Sequence, residues 1–136
     1  MAGFPRAGST LLMNIFAQNP KMHPTPTSGL IASVTGIRDT WKGNDIYKSN
    51  GEDYIYPKIQ GMMRNMIIGF YENEIRNKKI PIDKNRGWTG CIHFIEELFQ
   101  RKMKILFPIR DVVDVLTSLE KINRKSTSVS HGDNGN

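Results

Sequence analysis

The sequence predicts an α/β fold, a three-layer arrangement in which a small parallel sheet is flanked by helices. Three observations carry this. A glycine-bracketed turn, Gly3-Phe4-Pro5-Arg6-Ala7-Gly8, runs through Ser9-Thr10 into Leu11, Leu12, Ile15 and Phe16 at helical spacing. Ile80-Pro81-Ile82 precedes a second helix-patterned stretch, and Lys104–Ile109 precedes a third. Strands alternating with helices argue for a parallel sheet, whose ligands sit at the carboxyl ends of the strands.

The totals suit a single globular domain: 136 residues, 38% hydrophobic and 24% charged. A net charge of +6 favours anionic partners such as nucleotides or acidic substrates. No basic patch interleaved with aromatics is present, so no nucleic-acid partner is expected. No apolar run approaches the roughly 18 residues of a membrane span, and no signal-peptide pattern precedes the first glycine. A cytoplasmic protein without a membrane partner is the expectation. The single cysteine, Cys91, excludes an intrachain disulfide and a thiolate metal cluster. It reads as an inert buried thiol, with a reactive one as the alternative.

The first helix is expected over residues 9–18, closed by Asn19-Pro20. Residues 21–29 contain Pro24 and Pro26 and read as an ordered loop. Leu30, Val34, Ile37 and Trp41 predict a helix over 28–42, and the polar residues 43–52 predict a surface loop. The clearest periodicity is Ile59, Met62, Met63, Met66, Ile67 and Phe70, within a helix over 57–77. Its methionines suit a core stripe or an adaptable groove, core being the commoner. After the short strand at 80–82 comes the turn Asp83–Trp88, then a helix over 89–101. Lys104–Ile109 reads as a buried strand with Pro108 near its end. Arg110-Asp111 opens a final helix, and Asp111 and Asp114 suit its positive end. Residues 1–124 form the domain, and the polar residues 125–136 are expected to be a flexible tail.

The opening turn has the layout of an anion cradle. Its glycines permit tight turns, and the helix start supplies unpaired N–H groups and a positive dipole end. The nucleotide-hydrolase loop reads G-x-x-x-x-G-K-[ST]. Here Ser9 stands where the lysine would be, and Arg6 is the loop's own cation. Lys84, Arg86 and Arg110 follow the other strand ends, so one pocket at these ends suits a multiply anionic ligand. The plainer alternatives are solvated charges for Lys84 and Arg86, and an ordinary helix start at Arg110.

Phe4-Pro5-Arg6-Ala7-Gly8-Ser9-Thr10-Leu11 resembles the 5′-phosphosulfate loop of the sulfotransferase family, which takes its sulfuryl group from 3′-phosphoadenosine 5′-phosphosulfate (PAPS). Arg110-Asp-Val-Val-Asp-Val-Leu-Thr-Ser118 is similar to the family's 3′-phosphate segment, in which an Arg at a strand end and a Ser eight residues later hold that phosphate. Residues 111 and 118 share a helix face about 10 Å apart along the axis, so Ser118 faces the strand end. A forked guanidinium and a hydroxyl can then grip one phosphate. Asp83-Lys84-Asn85-Arg86 resembles an Asp-Lys turn of bacterial-type members.

The resemblance implies a P-loop-like fold and PAPS as co-substrate, with no metal. It implies Arg6 on the phosphosulfate. The backbone from Ala7 to Leu11, with the hydroxyls of Ser9 and Thr10, would hold the 5′-phosphate. Arg110 and Ser118 would hold the 3′-phosphate, and Lys84 would stabilise the moving sulfuryl group. For a base, His23 follows the first helix, with Asp83 and His93 as further candidates. Asp83 also fits a helix cap or a partner of Lys84, and His93 fits an ordinary structural histidine. The acceptor is a hydroxyl or amine of unspecified class, and no oligomeric state is implied. Two alternatives stand beside this. One is a truncated, non-catalytic nucleotide-binding relative, because the family's domain is usually longer and its basic closing loop has no counterpart before Asn136. The other is a small P-loop kinase, against which the missing lysine after Gly8 counts.

Overall fold

The computed structural model describes residues 1–130. Two short strands, β1 (Met22–Thr25) and β2 (Ile80–Asp83), pair in parallel, with Met22 opposite Ile80 and Thr25 opposite Asp83. Around them lie α1 (Ser9–Ala17), α2 (Leu30–Gly43), α3 (Asp45–Ser49), α4 (Glu52–Phe70), α5 (Glu72–Arg76), α6 (Ile92–Phe99) and α7 (Val112–Ser130). A short 3₁₀ turn, Arg86–Cys91, leads into α6. The fold is mixed helix and strand, a small parallel sheet flanked by helices, in the expected class.

Several elements differ from the sequence pattern. Residues 21–29 are not all loop, since β1 forms within them. Ile80 N donates to Lys21 O at 2.8 Å, so the parallel alternation leaves the donor that Pro24 lacks on the outer edge. The polar stretch 43–52 contains α3, capped by Asn44, whose Oδ1 accepts from Ile46 N at 2.9 Å. The long methionine helix starts earlier, at Glu52 behind Gly51, and breaks at Tyr71, so Asn77 closes the separate α5. Helix α7 continues through Ser130, past the start of the expected tail; the rest of that expectation, residues 131–136, lies outside the described residues.

The largest correction concerns Lys104–Ile109. It is extended but not a buried strand. Its one backbone hydrogen bond among the described residues runs from Ala2 N to Leu106 O at 3.1 Å. Ile105, Leu106 and Phe107 are about two-fifths exposed, and Ile109 is 89% exposed. An apolar run becomes a buried strand only where neighbours complete its ladder and cover its faces. Residues 1 and 2 bridge this segment to β2. Met1 N donates to Asp83 O, and Asn85 N donates to Met1 O at 3.0 Å, the pair of bonds made by a parallel neighbour.

The core sits among the helices. Leu30, Val34 and Trp41 of α2 meet Ile59 and Met63 of α4, with Tyr71 and with Ile95 and Leu98 of α6. Val34 and Met63 are completely buried. The methionine stripe is therefore core at Met63, while Met62 on the next position is half exposed.

Candidate functional site

The turn after Ala2 bends through backbone conformations that few residues adopt. Gly8, the residue before α1, has φ 87° and ψ 11°. Arg6 is also left-handed, at φ 63°, a strained state for a residue with a side chain. Among the described residues, the backbone N–H groups of Gly8, Ser9, Thr10 and Leu11 have no hydrogen-bond partner. The loop thus presents successive free donors at the positive end of α1, the arrangement that binds anions. Gly3 is held against the chain before α7: a Cβ there would lie 3.1 Å from the Pro108 ring.

Both distant segments reach this loop. Arg6 Nε donates to Ser118 Oγ at 2.9 Å, and Arg110 Nη1 donates to the Arg6 carbonyl at 3.2 Å. Arg110 also pairs with Asp114, its Nε 3.5 Å from the carboxylate. Lys84 Nζ donates to Thr10 Oγ1 at 3.2 Å. Arg6, Thr10, Lys84, Arg110 and Ser118 therefore form one linked group, although they come from three separated parts of the chain. Beside them opens a cavity of about 440 Å³ whose walls include Phe4, Arg6, Ser9, Thr10, Thr27 and Lys84. Its lining contains Arg6, Lys84 and Arg86 and no carboxylate among the described residues.

The three base candidates lie elsewhere. His23 is within β1, not in a loop, and its Nε2 is 3.6 Å from Glu74 of α5; it does not line the cavity. His93 is on the exposed side of α6. Asp83 is engaged as a hub. Its Oδ2 accepts from Ser28 Oγ at 2.6 Å and Tyr71 OH at 2.5 Å, and its Oδ1 accepts from Trp88 Nε1 at 2.7 Å. Burial, and then the bond to Asp83, push the Tyr71 hydroxyl above the ordinary tyrosine range, so it stays a neutral donor.

Ser28, Tyr71 and Trp88 carry no motif, and sequence reasoning missed their role. They fasten three segments to the end of β2, just before Lys84. Ser28 reads only as the start of a helix, and Tyr71 only as part of the methionine helix. Asn85 adds to the brace: its Nδ2 donates to Ser28 O at 2.8 Å and its Oδ1 accepts from Gly87 N at 2.9 Å.

Among the described residues, no helix is long and apolar enough to cross a membrane, and no group of three or more His, Cys, Asp and Glu is placed to hold a metal ion. Comparison with curated proteins and with solved structures gave no match. A family model described as the sulfotransferase family matches residues 1–134, nearly the whole chain. Sulfotransfer in general is the chemistry that match supports, and it implies a P-loop-like fold, a sulfuryl donor and an acceptor. The chain therefore belongs to the sulfotransferase family.

Proposed function

We propose that the chain transfers a sulfuryl group from PAPS to a hydroxyl or amine acceptor. The observation that carries this is the Arg6 junction: one residue of the anion loop bonds both Ser118 and Arg110. Two elements whose donors suit phosphates are thereby held side by side, which fits a nucleotide with a phosphate at each end of its ribose.

The roles follow from donor chemistry. The free N–H groups from Gly8 to Leu11 and the hydroxyls of Ser9 and Thr10 suit the 5′-phosphate. Ser118 Oγ accepts from Arg6 and keeps its own proton to donate to the 3′-phosphate, beside the remaining N–H groups of Arg110. Lys84, tied to Thr10 of the loop, suits the charge that grows on the bridging oxygen. The acceptor atom attacks sulfur in line, the bond from sulfur to the bridging oxygen breaks, and adenosine 3′,5′-bisphosphate leaves. The acceptor's proton passes to a base or to water.

A second reading, nucleotide binding without turnover, is favoured by one observation. His23 is paired with Glu74, and Asp83 already accepts three hydrogen bonds, so neither is a ready base. Calorimetric titration with adenosine 3′,5′-bisphosphate in EDTA tests donor binding. Metal-independent binding is expected, weakened about tenfold or more by Arg6→Ala and by Arg110→Ala. Absence of binding by the unaltered chain sinks both readings. Binding without transfer of radiolabelled sulfate to any hydroxyl or amine acceptor selects the second.

A further inference from the structure

Three cationic side chains line the cavity, and two are already tied to the donor loop: Arg6 through Ser118 and Lys84 through Thr10. The third, Arg86, has no hydrogen bond or ion pair from its side chain among the described residues. Its backbone, in contrast, is fixed on both sides. Asn85 ahead of it bonds Ser28 and Gly87, Thr89 Oγ1 donates to the Arg86 carbonyl at 2.7 Å, and Trp88 is anchored on Asp83. Arg86, exposed and with its guanidinium unpaired, thus lines from a braced turn a cavity without a carboxylate among the described residues.

We propose that Arg86 selects an acceptor that carries its own anionic group, a carboxylate or sulfate close to the hydroxyl or amine that receives the sulfuryl group. The inference rests on the sulfotransfer reading above. A phosphosulfate brings one negative charge on phosphorus and another on sulfur, and Arg6 and Lys84 answer these. Arg86 then remains uncompensated. The wall formed by Thr27, Asn85 and Arg86 comes from the ends of β1 and β2, not from the anion loop. About 440 Å³ leaves room beside a phosphosulfate for a group the size of a sugar ring. Arg86 is exposed, so its unpaired charge is open to an incoming anion, and the cations beside it in the cavity wall add to the attraction. Arg86 is here a specificity residue, separate from the groups that hold the donor.

The test uses the whole chain saturated with adenosine 3′,5′-bisphosphate. It is titrated with a glucuronate-containing tetrasaccharide and with the same tetrasaccharide after carboxyl reduction. The uronate supplies a carboxylate and neighbouring hydroxyls on one ring. The expected result is preference for the carboxylate form by about tenfold, lost in Arg86→Ala, partly restored in Arg86→Lys, and weakened by salt. The affinity for the bisphosphate and the thermal midpoint should be unchanged by Arg86→Ala. Equal binding of the two sugars, or binding of neither, overturns the inference. So does a loss of bisphosphate affinity in Arg86→Ala as large as in Arg6→Ala, which would assign Arg86 to the donor. No binding of bisphosphate by the unaltered chain instead removes the donor reading, and this inference with it.

Discussion

The helical half and the loop half of this molecule are held together in different ways. In the first, α2, α4 and α6 close on apolar side chains, and Val34 and Met63 are fully buried. In the second, α1, the segment before α7 and α7 itself leave Leu11, Val112 and Leu116 more than half exposed. The second half is joined by the backbone bonds of Met1 and Ala2, by the Phe4–Phe107 ring contact, and by polar contacts of single residues: Arg6 to Ser118, Arg110 to the Arg6 carbonyl, Lys84 to Thr10. Exposed contacts of that kind are worth little to folding but much to positioning. Apolar burial is thereby concentrated in one half and the proposed anion site in the other.

Substitutions should separate the two. The largest effect is expected at Met63→Ala, about 2–5 kcal/mol of stability by urea unfolding, against at most about 0.5 kcal/mol for Leu116→Ala. Similar losses for both would erase the contrast. Asp83→Ala joins the halves, because it strands the Ser28, Tyr71 and Trp88 donors. It should cost about 1–3 kcal/mol. It should also loosen the turn bearing Lys84, so that any measured transfer falls; a thermal midpoint equal to that of the unaltered chain would contradict this bracing. Gly3→Ala places a methyl 3.1 Å from the Pro108 ring at φ 153°. About 1–3 kcal/mol of strain is expected there. Bisphosphate affinity should fall with it, and unaltered affinity would show that the loop tolerates displacement.

The smallest effect concerns pH. Tyr71 keeps its proton in the fold above the ordinary tyrosine pKa of 10.0. Its contribution is therefore fully present below about pH 10. Above that the unfolded chain gives up a proton that the native chain retains, so stability falls as pH rises. Tyr71→Phe should cost about 1 kcal/mol at neutral pH. It should also flatten the decline on the alkaline side; an unchanged alkaline slope would count against the link to Asp83.

Local features of the chain were readable where one residue type decides the outcome. The glycine-bracketed turn ahead of α1, the apolar spacing of α2, and the short strand at Ile80 all needed only near neighbours. β1 was not readable, because Pro24 argues against a strand unless one knows that its missing donor faces outward. Lys104–Ile109 misled in the opposite sense: its composition fits a buried strand, yet among the described residues only Ala2 makes a backbone bond to it. Arg6, Arg110 and Ser118 could be chosen by resemblance, and their meeting is a property of the three-dimensional path. The Asp83 brace had no pattern to find, since Ser28, Tyr71 and Trp88 are scattered across separate elements.

The close approach of Gly3 to Pro108 works as a gauge. It fixes the gap between the loop that ends in free N–H groups and the chain that leads to Arg110 and Ser118. A ligand that spans the two must match that gap, so a nucleotide with its phosphates at the wrong separation would engage one jaw at a time. Under the proposed function, selectivity for ligand length would then be set by one missing side chain in the cavity wall.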